Sequence, residues 1–136
     1  MKLDLNLERT FPHPVERVWD AISSADAIAE WLFTCDFKPE IGHKFTFRTT
    51  PPEGSSWRGW TDIEVLEFTP PTRIVWAWES ADIPEPTRVI FELEPTPEGT
   101  RLKLSHVGDS TEDDIASVSG GWPVKLDALV SHLGGD

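Results

Sequence analysis

Four histidines, one cysteine and a scatter of serines are the groups in this sequence that could do chemistry. His13, His43, His106 and His132 include no pair at the helical i, i+4 spacing of a zinc site, and none neighbours Cys35, so no metal is expected. Cys35 follows Trp31 and Phe33 and precedes Asp36. Nothing there lowers a thiol pKa, so a small gap-filling role is expected. No serine sits in a Gly-x-Ser-x-Gly elbow. His106 is the most suggestive single residue. By alternation it shares the inward row of Leu102 and Leu104. There it could orient a ligand carbonyl or act as a general base. The plainer reading is a partly buried histidine hydrogen-bonded to the loop before the last helix. Glu30 and Asp36 could reach a cavity rim, or be ordinary solvated acids. No acid partners His106 in sequence, so no catalytic residue is assigned, and no cofactor is expected.

The larger signal is aromatic: 7 Trp and 7 Phe with no Tyr. Rings without phenol hydroxyls make apolar walls rather than acid–base catalysts. Trp31, Phe33, Phe45, Phe47, Trp60, Trp76, Trp78, Phe91 and Trp122 all fall on rows expected to point inward. Such rings either fill a core or line a cleft within it, since bulky rings pack imperfectly around a curved sheet. Trp57 and Trp60 stand three apart, so they face opposite sides of a regular strand, and one of them is expected to be exposed or at a bulge.

The elements that must position these rings follow from period and punctuation. Leu3, Leu5 and Leu7 alternate with Asp4, Asn6 and Glu8, which predicts an opening strand. Pro14 then suits the first turn of a helix carrying Val15, Val18, Trp19 and Ile22 on one face. Ser24 can cap a second short helix with Ile28, Trp31 and Leu32 on its apolar side. From Ile41 the period is two. Apolar rows recur at Phe45 and Phe47, at Thr61, Ile63 and Val65, at Ile74, Trp76 and Trp78, at Val89, Phe91 and Leu93, and at Leu102, Leu104 and His106. Turns at Pro51–Ser56, Pro70-Pro71, Pro84–Pro86 and Pro95–Gly99 separate them, the pattern of an antiparallel meander. Ile115, Val118, Trp122, Leu126, Leu129 and Leu133 then step by three or four, predicting a C-terminal helix broken or kinked near Gly120-Gly121-Trp122-Pro123. Acids from Asp109 to Asp114 suit its start, where the macrodipole favours anions. The economical arrangement is an α+β fold in which a curved antiparallel sheet wraps around the last helix.

Size and charge bound the function. At 136 residues the chain is expected to form a single domain over its whole length, 1–136, with a real core. Its net charge of −12 repels phosphate backbones and anionic membrane surfaces, so neither nucleic acid nor membrane insertion is expected. One cysteine excludes an internal disulfide framework and suits a reducing compartment, and the N-terminal residues do not read as a signal peptide. A cytoplasmic location is therefore expected.

The pieces together resemble a known family. Pro14 with Val18-Trp19-Asp20-Ala21 and Trp31, then Gly42 and Phe45, Gly59-Trp60, Pro71 through Trp76, Gly99 through His106, and Gly121-Trp122 with Leu126 and Leu129 are similar to the activator of heat-shock-protein-90 ATPase homologue family. His43 departs from it where a second glycine is common. The resemblance implies the helix-grip fold of the SRPBCC, or START-like, superfamily: a sheet gripping a C-terminal helix around an apolar cavity. It also implies that binding of lipids, hormones or polyketides is the commoner role and polyketide cyclisation the rarer one. The co-chaperone that names the family carries a further N-terminal domain, for which this length leaves no room, so its activity is not carried over.

The expected function is non-catalytic binding of a small hydrophobic or amphipathic molecule, with Trp31, Phe33, Phe45, Trp60, Trp76, Trp78, Phe91 and Trp122 as contact area and His106 as the polar handle. The alternatives are a protein-interaction module, chaperone- or stress-associated or a homodimer, and a cyclase- or hydrolase-like enzyme using His106 as base.

Overall fold

A computed structural model describes residues 1–51, 53–54 and 57–134. Its elements run β1 (Lys2–Phe11), α1 (Val15–Ile22), α2 (Ala25–Trp31), β2 (Lys44–Arg48), β3 (Trp60–Thr69), β4 (Arg73–Glu79), β5 (Thr87–Thr96), β6 (Gly99–Asp109) and α3 (Glu112–His132). The six strands form one antiparallel sheet in the order β1-β6-β5-β4-β3-β2. Every neighbour except the β1–β6 pair is consecutive in sequence. That is the meander implied by the regular turns, closed by bringing the first strand beside the last. The fold is the helix grip: a curved sheet, two short helices after the first strand, and a long helix lying across the concave face.

The period-two rows bury as expected. Phe45 and Phe47, Ile63 and Val65, Ile74, Trp76 and Trp78, Val89, Phe91 and Leu93, and Leu102 and Leu104 all lie in the core. Leu3 does too, whereas Leu5 and Leu7 are only half-buried, because β1 is an edge strand. A bulge in β3 between Val65 and Glu67 inserts Leu66 and shifts the phase by one. Phe68, paired with Ile74, thereby joins the inner row and meets the Trp19 ring at 5.3 Å between centroids. Ser24 caps α2 by accepting from the Ala27 amide, and the Thr111 hydroxyl does the same for Asp114 at the start of α3.

Two sequence expectations need correcting here. First, α3 runs unbroken from Glu112 to His132 with Pro123 inside it. The proline withholds one N–H from the ladder, but Val118, Trp122, Leu126 and Leu129 stay buried on one face, and that packing keeps the helix continuous. Second, Trp60 points outward. Thr61, Ile63 and Val65 hold the inner positions of β3, so alternation sends Trp60 to the outer face, where it is 37% exposed under the Arg58 guanidinium. The expected turn at Pro51–Ser56 includes positions 52, 55 and 56, which lie outside the described residues.

The β5–β6 hairpin carries a position with no tolerance for a side chain. Gly99 has φ +148°, and a Cβ there would collide with the Phe11 carbonyl oxygen and sit 2.8 Å from the His13 amide nitrogen. Both obstacles are backbone, so neither can swing away. Gly99→Ala is expected to remove more than about 2 kcal/mol of stability. Urea unfolding checks this, and a midpoint equal to that of the unmodified protein would show that the β1 end does not lie so close.

Candidate functional site

Between the sheet, the segment leaving α2 and the middle of α3 lies a cavity of about 460 Å³ that is open to solvent on one side. Three walls build it. The sheet gives Thr61 and Trp78, with Ser80 just past the end of β4. The segments beside it give Leu32, Phe33, Thr49, Thr50 and Trp57. The helix gives Ser117, Val118, Gly121, Trp122 and Lys125. The helical residues recur at i, i+4 and i+8, one face of α3, and Gly121 leaves that face bare where a side chain would intrude.

Aromatic packing fixes the walls. Phe33 lies 5.3 Å from Phe47 and 5.6 Å from Trp57, and Trp78 lies 5.2 Å from Trp122, all between ring centroids. The Trp57 indole N–H donates to the Trp60 carbonyl at 3.1 Å, which sets its ring inward of β3. Arg58 ties down the β4 end: it donates to the Glu79 carbonyl at 3.0 Å and to the Asp82 carboxylate at 3.0 Å. The adjacent Ser80 is thereby held at the cavity.

Beneath the rings runs a buried polar chain. The Trp122 N–H donates to His106 Nδ1 at 3.0 Å, and His106 Nε2 lies 2.8 Å from Thr87 Oγ1. Thr87 in turn donates to the Trp78 carbonyl at 2.9 Å. These roles allow one tautomer only: Nδ1 accepts, so Nε2 carries the proton and donates it to Thr87. Burial pushes the His106 pKa down to about 4, a weaker pull from the Asp114 carboxylate opposing it. A second chain links Trp78 to the start of α3. The Trp78 N–H donates to Ser80 Oγ at 3.0 Å, and the hydroxyls of Ser80 and Ser110 each donate to the Asp114 carboxylate.

The expected contact residues therefore divide. Phe33, Trp78 and Trp122 line the cavity. Trp31, Phe45, Trp76 and Phe91 do not; they are packed into the core, Trp31 with its N–H given to the Ala21 carbonyl at 2.8 Å. Trp60 is outside altogether. His106 is fully buried beneath Trp122 with both ring nitrogens engaged, so it presents no free base to the cavity. Glu30 and Asp36 are exposed and away from it. Cys35 is half-buried, and burial, reinforced by the Asp36 charge, raises its thiol pKa against a hydrogen bond from the Phe37 backbone.

Sequence reasoning passed over Thr61, Ser80 and Lys125. Thr61 ends an apolar row, and Lys125 follows Trp122 at i+3 on the same helical face; those positions were the available signals. Lys125 is the single charged residue among those lining the cavity. It donates to the Leu32 carbonyl at 3.2 Å, stands 4.4 Å over the Phe33 ring, and has its pKa lowered by burial. Thr61 is 1% exposed, and its hydroxyl has no hydrogen-bond partner among the described residues. Among those residues no helix is long and apolar enough to cross a membrane.

Comparison with known proteins agrees with this architecture. The model of the family described as Activator of Hsp90 ATPase homolog 1-like protein matches residues 12–134. The crystal structure of protein MLL2253 from Mesorhizobium loti is 31% identical over 96% of both chains, with a TM-score of 0.83. The solution structure of the protein encoded by BPP1335 of Bordetella parapertussis is 27% identical over 98% of this chain and 75% of that one, with a TM-score of 0.77. No curated protein matches the chain. With a family model spanning almost its whole length and a relative of the same size and fold, the chain belongs to the Activator of Hsp90 ATPase homolog 1-like family.

Proposed function

We propose that the protein binds a small apolar or amphipathic molecule in the cavity between sheet and α3, without chemical turnover. The observation that carries this is the cavity itself: about 460 Å³, walled by Phe33, Trp57, Trp78, Trp122 and Val118. That volume falls within the ~300–1,000 Å³ usual for small-molecule sites. Burying ~200 Å² of apolar ligand surface would contribute about 5 kcal/mol before the cost of immobilising the ligand, so apolar contact alone falls short of the ~8 kcal/mol of micromolar affinity and polar contacts must supply the rest. A hydrolase- or cyclase-like reading needs a free base. His106 is held neutral with both nitrogens engaged, and the Cys35 thiol is raised rather than activated. An interaction-module reading would use Trp60, which is 37% exposed with the Arg58 guanidinium over one face of its ring at 4.5 Å. A reducing, cytoplasmic setting suits the single half-buried thiol.

The test is intrinsic fluorescence. Three of the 7 tryptophans, Trp57, Trp78 and Trp122, line the cavity. A ligand seated among them should change emission saturably, and Trp57→Phe should remove part of that change. If a panel of fatty acids, lipids and aromatic polyketides gives no saturable response, the reading fails.

A further inference from the structure

Resting on that reading, we infer that the cavity selects an apolar molecule bearing one anionic group, for Lys125 on the helical wall, and one hydroxyl or carbonyl group, for Thr61 on the sheet wall. Two independent observations carry this. Thr61 lines the cavity, and its hydroxyl is buried in that wall with no partner among the described residues. A hydroxyl so placed costs free energy until something in the cavity meets it. Thr61 stands on β3 between Phe47 and the end of β4, and backbone alternation puts its side chain on the inner face of the sheet.

The second observation concerns charge. The chain carries −12 overall, yet the lone charge lining the cavity is a cation. Lys125 spends one N–H on the Leu32 carbonyl and lays its charge over the Phe33 ring, which leaves it two further donors. Burial already disfavours its charged form. An anion beside it would reverse that penalty, and a charge-assisted hydrogen bond in a poorly solvated site is stronger than a neutral one. A neutral apolar ligand would instead cover the ammonium without supplying a counter-charge. The four surrounding rings suit a flat aromatic body between the two polar walls.

A matched series tests this: hydroxynaphthoic acid, naphthoic acid and naphthoic acid methyl ester, titrated by calorimetry into the full chain. The acid should bind about tenfold tighter than the ester, and the hydroxy acid about threefold tighter again. Lys125→Met, which keeps the apolar stem, should bring acid and ester within about twofold of one another, chiefly by weakening the acid. Thr61→Val, close in shape, should remove the advantage of the hydroxyl and nothing else. Melting temperatures near that of the parent protein would confirm that both variants fold. Equal binding of acid and ester by the unmodified protein, or equal weakening of both by Lys125→Met, overturns the anion inference and leaves cavity binding standing. Binding of none of the three overturns both.

Discussion

Trp76→Ala should remove about 4 kcal/mol of stability, within the ~3–5 kcal/mol range for deleting a buried large ring. Trp76 is fully buried at the centre of the sheet's inner face. Phe91 meets it at 4.9 Å between centroids, Phe45 at 5.9 Å, Phe47 at 6.0 Å and Phe37 at 6.2 Å. Those neighbours sit on two other strands and a loop, so they cannot close together over the space the indole leaves. A domain of this size holds only ~5–15 kcal/mol in all, so a loss of this kind takes a large share of it. The indole N–H of Trp76 has no acceptor among the described residues. Trp76→Phe therefore discards a buried, unpaired donor along with part of the ring, and it should cost less than about 1.5 kcal/mol. Trp122→Phe is the contrast, because it strips His106 Nδ1 of its donor. Urea unfolding of the three variants checks the order. Equal losses for Trp76→Phe and Trp122→Phe would mean that the two indole nitrogens are not in different situations.

The same pair shows what sequence can and cannot reveal. Period two places Trp76 on an inward row, and steps of three or four do the same for Trp122, because one-sided burial of a strand or helix leaves a direct trace in residue spacing. It could not separate a ring in the packed middle from one at a cavity wall. Trp76 and Trp78 stand two apart on one strand, yet only Trp78 reaches the cavity. That difference depends on where α3 crosses and on the bareness of Gly121, which are tertiary facts. Trp60 was misplaced for a simpler reason: a large apolar ring outweighed the phase set by Thr61, Ile63 and Val65. Spacing marks Asp114 only as one of the acids that suit the start of the last helix. It is one, in the first turn of α3, but buried, because Ser80 and Ser110, far apart in sequence, meet it there. Lys125 and Thr61 share the period of their apolar neighbours, but their polar ends give no sign of what they face. A polar residue at the end of an apolar row looks like a boundary until the opposite wall is known.

His106 should make the fold acid-sensitive by an amount that one substitution can isolate. Its pKa is lowered from 6.5 to about 4 in the folded protein, mainly by burial, with Asp114 opposing. Between those values the unfolded chain binds a proton that the folded one refuses, so stability falls as pH drops. The contribution is fully present above pH 6.5, is lost progressively below it, and levels off once pH passes below about 4. A shift of this size corresponds to about 3 kcal/mol. The physical reason is the tautomer: protonating Nδ1 would set an N–H against the N–H of Trp122, with both groups buried from solvent. His106→Gln can keep both contacts, its carbonyl accepting from Trp122 and its amide donating to Thr87, yet it cannot titrate. Near pH 7.5 it should therefore cost only ~1 kcal/mol, whereas His106→Leu, which leaves the Trp122 N–H unpaired, should cost about 2–3 kcal/mol. Over the acid range the stability of the glutamine variant should fall less steeply, by one proton's worth of slope, with other carboxylates cancelling in the difference. Urea unfolding at intervals across that range measures it. Parallel curves for the parent and His106→Gln would mean that His106 takes up its proton in the folded state as readily as in the unfolded one, and that the Trp122–His106–Thr87 chain does not hold it neutral.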